Sequence, residues 1–372
     1  MDKIKVGILG ATGLVGQRLI SMLENHPWFE VAALTASERS SGKLYREAAE
    51  WRLPGSVPEY AANLPVRETK PDIDCRIVFS AVSSLDIGEI EENFARAGYI
   101  VVSNASGNRM APDIPLIVPE VNPEHLQLID IQKKNRGFKE GFIVTNPNCV
   151  AIPLSIALKP LSERFGIKNV NAVTLQALSG AGYPGVPSME LIDNVVPYIS
   201  GEEEKIEAET KKLLGWYVHD GVVQHTCGVS AMVHRVPVRD GHMIAASIEL
   251  EEKAGIDEII DSLTNYPLAT KIKDLPSTPA RPVLLLSERG RPQPCLDRDA
   301  GGGMTVSIGG IRPCPVNDVR MNILGHNTIR GAAGAALLNA ELLVAEGYVS
   351  DNSNKDQEKD KSIKRTVSEI TL

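Results

Sequence analysis

Cys149 closes the tetrad Asn146-Pro147-Asn148-Cys149 and runs straight into the apolar stretch VAIPLSIALKPL. A thiol there has two readings, a small packed side chain or a nucleophile at the mouth of a helix. The second has a physical basis, because the dipole and free N–H groups at a helix start favour the thiolate. Pro153 is compatible with a helix beginning here, since proline is tolerated in the first turn. Asn146 or Asn148 has the side chain to cap it. Cys75, Cys227, Cys295 and Cys314 lie in or beside apolar strand-like runs, where a free cysteine is ordinarily a core residue. The five cysteines form no CxxC pair. That suits free thiols in a reducing, cytoplasmic setting, and it predicts neither a disulfide framework nor a metal site.

A nucleophilic thiol needs a partner. Of the seven histidines, His242 has the most distinctive setting, in RVPVRDGHMIAASIEL, where the chain turns through Asp240-Gly241 and enters a strand. A surface turn histidine and a catalytic base are both open at this point. Arg235 precedes it by seven residues and is expected at the head of the preceding strand. If that strand and the next form a hairpin, both side chains face one pocket. The planar guanidinium fork suits a carboxylate.

A second chemical feature opens the chain. Gly10, Gly13 and Gly16 make GxxGxxG between the apolar IKVGIL and the helix-like QRLISMLENHP. Glycines there let backbone N–H groups approach a pyrophosphate at a helix start. The next strand, FEVAALT, decides which dinucleotide is held. An NAD site carries an acid near its end, whereas here Ala36 and Ser37 stand in that place, followed by Arg39, Ser40, Ser41 and Lys43. Hydroxyls and cations suit a 2′-phosphate, so NADP(H) is the expected cofactor, with Glu38 as the opposing feature.

These residues need a scaffold. Strands alternate with helices to about residue 150, which predicts an α/β fold whose N-terminal part is a Rossmann doubly wound parallel sheet. Beyond NPNC, the segments VNAVTLQALSGAG, MIAASIELEE, PVLLLSERG and GMTVSIGGIRP predict an α+β catalytic and dimerisation domain with a mixed or antiparallel sheet. The helical IRGAAGAALLNAELLVAEG is expected to pack back on the first domain. The expected organisation is therefore 1–148 with 327–349, then 149–326, then a flexible charged tail over 350–372. The chain of 372 residues is 43% hydrophobic with a net charge of −8, which is globular and argues against a general nucleic-acid binder. It has no membrane-length apolar run, and its first residues, MDKIKVGILGATG, enter a strand and a glycine turn directly, so no signal peptide is expected.

GATGLVG, NPNC, LQALSGAG, EEEKIEAETKKLLG, RVPVRDGH and HNTIRGAAG occur in this order. With them the chain resembles the aspartate-semialdehyde dehydrogenase family, in its archaeal and fungal-like branch, over nearly its whole length to about residue 349. The resemblance implies that Cys149 is the acyl-accepting nucleophile, His242 the general acid/base, and Gln176 a group holding substrate and thioester. It implies that Arg235 binds the substrate α-carboxylate and Glu202 its amino group, with Glu203 or Glu204 as alternatives for that contact. Lys205 and Arg109 would bind phosphate. Thr12, Leu14 and Val15 in the glycine loop, Ser80, Ser83, Asn104, Ser179 and Gly180 would lie along the cofactor, which Asn327 would reach from the returning C-terminal helix. SNASGNRM around Arg109 departs from the bacterial branch, and the lysine-bearing helix is set differently. The implied reaction is NADPH-dependent reduction of aspartyl 4-phosphate through a cysteine thioester, in lysine, threonine and methionine synthesis, by a homodimer or homotetramer. Malonyl-CoA reductase shares the thiol, histidine and arginine, and a non-catalytic NADP-binding sensor shares the first domain.

Overall fold

The computed structural model describes residues 2–82 and 87–349. Ser83 and the tail 350–372 therefore lie outside the described residues. Six strands form the first sheet: β1 Ile4–Leu9, β2 Phe29–Ala36, β3 Val66–Glu68, β4 Ile77–Ser80, β5 Ile100–Ser103 and β6 Phe142–Thr145. Their order is β3-β2-β1-β4-β5-β6 and every pairing is parallel. The sequences IVFS, IVVS and FIVT of β4 to β6 are buried throughout, as expected of strands covered on both faces. The order reverses between β1 and β4, and such a switch point opens a crevice at the carboxyl ends of the strands.

Numbering only helices of nine residues or more, the chain carries α1 Leu14–Leu23, α2 Ile87–Arg96, α3 Leu128–Arg136, α4 Ala151–Phe165, α5 Glu202–Leu213, α6 Ile256–Thr264 and α7 Gly334–Ala345. α7 buries Ala336, Leu337, Leu338, Ala340, Leu342 and Leu343 in the core that covers the first sheet. Burying each of the larger side chains contributes about 1.5–3 kcal/mol, so this helix is a structural member of that layer.

The second sheet has the order β13-β14-β15-β12-β7-β11-β8. Its strands are β7 Ile167–Gln176, β8 Val196–Pro197, β11 Gly228–Arg235, β12 His242–Leu250, β13 Val283–Leu286, β14 Val306–Pro313 and β15 Val319–Gly325; β9 Trp216–Val218 and β10 Gly221–Val223 form a separate hairpin. β7 pairs parallel with β11 and antiparallel with β12, so the sheet is mixed. One face packs on α4, whose Ile152, Leu154, Leu158 and Leu161 are fully buried. The other face is open: Val173 on β7 is 38% exposed and Met232 on β11 is 57% exposed.

Candidate active site

The glycine loop is shaped by contacts within the protein. Gly10 has φ +77°, and a β-carbon there would sit 2.7 Å from the Ala81 carbonyl oxygen. At Gly16 it would sit 2.4 Å from the Gly10 carbonyl oxygen, so Gly10 is dictated by the chain leaving β4 and Gly16 by the packing of α1 against the turn. Gly13 differs: a β-carbon would meet only the Gly10 oxygen, at 3.4 Å. The bare backbone of Gly13 is exposed beside Thr12, Leu14 and Val15 at the start of α1, its N–H donating to the Gly10 carbonyl at 3.1 Å. Next to it lies a cavity of about 400 Å³ lined by Gly10, Ser37, Glu68, Thr69, Lys70 and Val82 among others. Ser37 follows β2, and the Ser40 amide closes a turn on the Ser37 carbonyl at 2.9 Å. Arg39 and Lys43 stand exposed around that turn. Lys70, ion-paired with Glu68, is a cavity cation that the sequence reading does not include. It follows the three-residue β3, which has no strong local signature.

Cys149 sits between β6 and α4, partly accessible, with its peptide neighbours held from four directions. The Asn148 side-chain oxygen accepts the Val150 amide at 2.7 Å and the Ala151 amide at 3.3 Å, so Asn148 caps α4. Its Nδ2 donates to Glu202 Oε1 at 2.7 Å, and its backbone N–H donates to Glu209 Oε2 at 2.5 Å. Asn146 serves the other side: its Nδ2 donates to Asn104 Oδ1 at 2.9 Å, and its Oδ1 accepts Asn339 Nδ2 of α7 at 2.6 Å. Gly331, in the π-helical turn Ile329–Ala333, presses on the cysteine; a β-carbon there would lie 2.7 Å from Cys149 Cβ.

The thiol does not have the depressed pKa expected from its place at a helix start. Burial pushes it up to about 12, and the Glu202 carboxylate adds to the rise, while Arg109 and Arg235 pull the other way. Two amides of the helix start are already occupied by Asn148, so the expected donors are not free for the sulfur.

The second sheet gathers three further groups at one end. Gln176 ends β7 and pairs in register with Arg235, which ends β11; on the other side of β7, Leu175 pairs with Met243, immediately after His242. The expected hairpin of the arginine and histidine strands is therefore incorrect, because β7 lies between them. Arg235 stands at the tail of its strand, not its head. His242 is not a surface turn residue; it opens β12 with no exposure. A single residue, Ala177, orients both side chains. The Ala177 carbonyl accepts Arg235 Nη1 at 2.7 Å, and the Ala177 N–H donates to His242 Nδ1 at 3.0 Å. With Nδ1 accepting, the neutral ring carries its proton on Nε2, which has no partner. Burial, then Arg235 and His326, lower the His242 pKa to about 3, so the ring is neutral. Burial also lowers the pKa of Arg235, against the opposing pull of Cys149 and Glu202. Gly180 backs onto the pair: a β-carbon there would lie 2.9 Å from Arg235 Nη1 and 3.1 Å from His242 Nε2.

The amino end of α5 reaches the same place. Glu202 approaches Gln176 Nε2 at 3.5 Å and Lys205 Nζ at 3.9 Å. Its neighbours point elsewhere. Glu203 accepts the Val233 amide at 3.0 Å, and Glu204 is exposed. Arg109 is buried, with Nη1 on Glu209 at 3.0 Å and Nη2 on the Asn104 carbonyl at 2.8 Å. Asn327 lies in the turn between β15 and the π turn, not in the helix that follows. Its Oδ1 accepts the Gly241 amide and its Nδ2 donates to Ser179, both at 2.8 Å. It thereby ties the turn before His242 to the loop carrying Gly180. Ser80 is fully buried at the end of β4, so its side chain lies beneath the crevice; its carbonyl accepts both the backbone N–H and Nδ2 of Asn104. Among the described residues, no group of three or more His, Cys, Asp and Glu is arranged to hold a metal, and no helix is long and apolar enough to cross a membrane.

The comparisons agree with this geometry. Residues 5–129 match the semialdehyde dehydrogenase NAD binding domain, and residues 158–330 match the semialdehyde dehydrogenase dimerisation domain. The chain is 49% identical over 348 residues to the aspartate-semialdehyde dehydrogenase of Archaeoglobus fulgidus, covering 93% of this chain and 100% of that one. It is 50% identical over 345 residues to that of Methanothermobacter thermautotrophicus, covering 91% and 99%. The crystal structure of the Candida albicans aspartate-semialdehyde dehydrogenase with NADP superposes with a TM-score of 0.85 at 42% identity, covering 94% of this chain and 100% of that one.

Proposed function

The chain belongs to the aspartate-semialdehyde dehydrogenase family, and on that premise we propose that it catalyses the reversible, NADP(H)-dependent reductive dephosphorylation of L-aspartyl 4-phosphate to L-aspartate 4-semialdehyde. The observation that carries this reading is the meeting of Gln176, Arg235 and His242 at one sheet end with Cys149 and Glu202 beside them.

The residues present fit the dinucleotide. Gly13 leaves bare backbone for the pyrophosphate, and Ser37 and Lys70 offer a hydroxyl and a cation to a 2′-phosphate, with Arg39, Ser40 and Lys43 nearby. Bound in the crevice, NADPH supplies a hydride to the acyl carbon.

The substrate α-carboxylate pairs with Arg235 and its ammonium with Glu202. The fully formed pocket then presents the acyl carbon to Cys149. Its sulfur forms a C–S bond as the acyl C–O bond breaks, and phosphate leaves towards Arg109 and Lys205 with that electron pair and the proton of the thiol; once the acyl carbon is reduced, the C–S bond breaks with its pair on sulfur, which takes up a proton from solvent. A thioester splits one hard step into two easier ones. His242 stabilises the tetrahedral oxygen as a hydrogen-bond donor through Nε2–H. Gln176, held near Glu202, keeps the thioester in place. The product is the precursor class for lysine, by way of diaminopimelate, and for threonine and methionine, in a cytoplasmic setting.

We read 1–148 with 327–349 as the cofactor-binding unit and 149–326 as the catalytic unit. The open face of the second sheet, with Val173 and Met232, is the proposed contact between copies in a homodimer or homotetramer.

The test supplies NADP with L-aspartate 4-semialdehyde and phosphate and follows the appearance of NADPH. Turnover that requires phosphate, and that disappears in Cys149→Ala while NADP binding persists, is the expected result. Turnover only with NADPH and malonyl-CoA, or wild-type turnover in Cys149→Ala, would overturn the reading.

A further inference from the structure

Helix α5 carries more than substrate contacts. Glu202, Lys205, Glu209 and Lys212 recur at three- and four-residue steps, so they share one stripe of the helix. The first two lie at the pocket mouth. The second two are buried, at 1% and 4% exposure, although the sequence EAETKK reads as a solvated charge run.

Each buried charge is fully engaged with the segment that carries Arg109 or Cys149. Glu209 Oε1 accepts Arg109 Nη1 at 3.0 Å, while its Oε2 accepts the Asn148 amide at 2.5 Å, one residue before the nucleophile. Lys212 Nζ donates to three carbonyls of the arginine segment: Arg109 at 2.7 Å, Ala111 at 2.8 Å and Ile114 at 2.9 Å. Three donors thus meet three acceptors. From the opposite side, Glu91 of α2 takes Asn108 Nδ2 at 3.0 Å and Ser103 Oγ at 2.6 Å, clamping the same segment.

Burying charged groups away from water is costly unless each is paired and hydrogen-bonded. Here the pairing is spent on one geometric relation, the separation between Arg109 and Cys149. We propose that Glu209 and Lys212 are positioning residues of the phosphate site. α5 serves as the common frame that fixes Arg109, Glu202, Lys205 and the Cys149 turn relative to one another. This rests on the reading of Arg109 as a phosphate-binding group. Glu209 and Lys212 touch neither substrate nor cofactor; they act by aiming the arginine and holding the amide beside the thiol. A supporting shell left loose by about 1 Å is enough to impair a site whose ligating groups are all present.

The test is a double-mutant cycle on phosphate recognition. Phosphate KM and kcat are measured in the oxidative direction for the wild type, Arg109→Ala, Glu209→Gln and the double variant, with Kd for inorganic phosphate by calorimetry as a readout that needs no turnover. NADP affinity and circular dichroism report folding. We expect Glu209→Gln to raise phosphate KM and Kd about 10- to 100-fold with NADP affinity unchanged, and to add nothing in the Arg109→Ala background. Lys212→Met, which keeps the stem and removes the three donors, should shift phosphate affinity the same way. If Lys212→Met fails to fold, the Glu209→Gln cycle decides alone. Additive effects of Glu209→Gln and Arg109→Ala, or a Glu209→Gln loss shared equally by NADP and phosphate, would overturn the inference while leaving Arg109 as the phosphate group. An Arg109→Ala variant with wild-type phosphate affinity would overturn both.

Discussion

Gly331→Ala is the sharpest single-atom perturbation this site offers. The added β-carbon would lie 2.7 Å from Cys149 Cβ, 3.0 Å from its Cα and 3.3 Å from its carbonyl oxygen. Ordinary contact begins at 3.4 Å, so the nearest pair falls short by about 0.7 Å, a displacement large enough to spoil reaction geometry. None of these atoms is the free end of a flexible side chain. The relief must come from moving the cysteine backbone or the π turn Ile329–Ala333. The cysteine turn is in turn held by Asn148 on Glu202 and Glu209, so the movement propagates to the pocket. Misplacing a reacting atom by about 1 Å costs about a hundredfold in rate, and overpacking costs about 1–3 kcal/mol in stability. The expected outcome is a kcat lower by about a hundredfold, a modest fall in the unfolding midpoint, and an NADP affinity changed far less than kcat, since the clash falls on the cysteine turn. Steady-state turnover, urea unfolding and NADP titration measure the three quantities. A kcat within about twofold of wild type, with the substitution verified, would refute the proposed dependence of the chemistry on this contact.

Other outcomes follow from the same coordinates. With the thiol pushed up to about 12, alkylation of Cys149 by iodoacetamide in the ligand-free protein should accelerate about tenfold per pH unit and show no plateau below pH 9; a plateau near 8 would contradict the burial account. Lys70→Ala should raise the KM for NADP about tenfold and leave that for NAD unchanged, in parallel assays with the two cofactors; equal losses would move the 2′-phosphate elsewhere. Burial holds His125 and His326 at about 4 and His242 at about 3, all below their ordinary 6.5. Unfolding then takes up protons below about 6.5, so stability falls on acidification, by up to about 1.4 kcal/mol per pH unit per group across that window. Urea midpoints at pH 7, 6 and 5 should fall in that order, and His125→Gln should flatten the slope; a midpoint that rises on acidification would reverse the sign.

The first sheet was legible because its strands are continuous apolar runs, the first of them closed by the glycine turn that holds Gly10 and Gly16. Cys149, Arg235 and His242 could be singled out as candidates because each stands in a short local string. Their spatial relation was not. Nothing in RVPVRDGH states that β7, some sixty residues earlier, inserts between the two strands, because strand order is settled by long-range packing. The protonation of the thiol was likewise hidden, since a helix start is a local signal and burial is a global one. Glu209 and Lys212 illustrate the same limit from the other side. Eight charged residues among twelve helical positions look solvated until a segment a hundred residues away folds over them. Ser80 turns into the core and Lys70 lines the cavity for the same reason: which side of a strand end faces the crevice depends on its neighbours.

Ala177 carries a consequence for substrate change. Its carbonyl accepts Arg235 Nη1 and its amide donates to His242 Nδ1, so the proposed substrate anchor and the proposed oxygen donor hang on the two peptide units that meet at one α-carbon. Moving Ala177 to re-aim the arginine at a longer dicarboxylic substrate would shift the imidazole at the same time. Acceptance of a homologue with one more methylene therefore cannot come from re-aiming the arginine; it must come from the opposite wall, through Glu202 and the frame behind it.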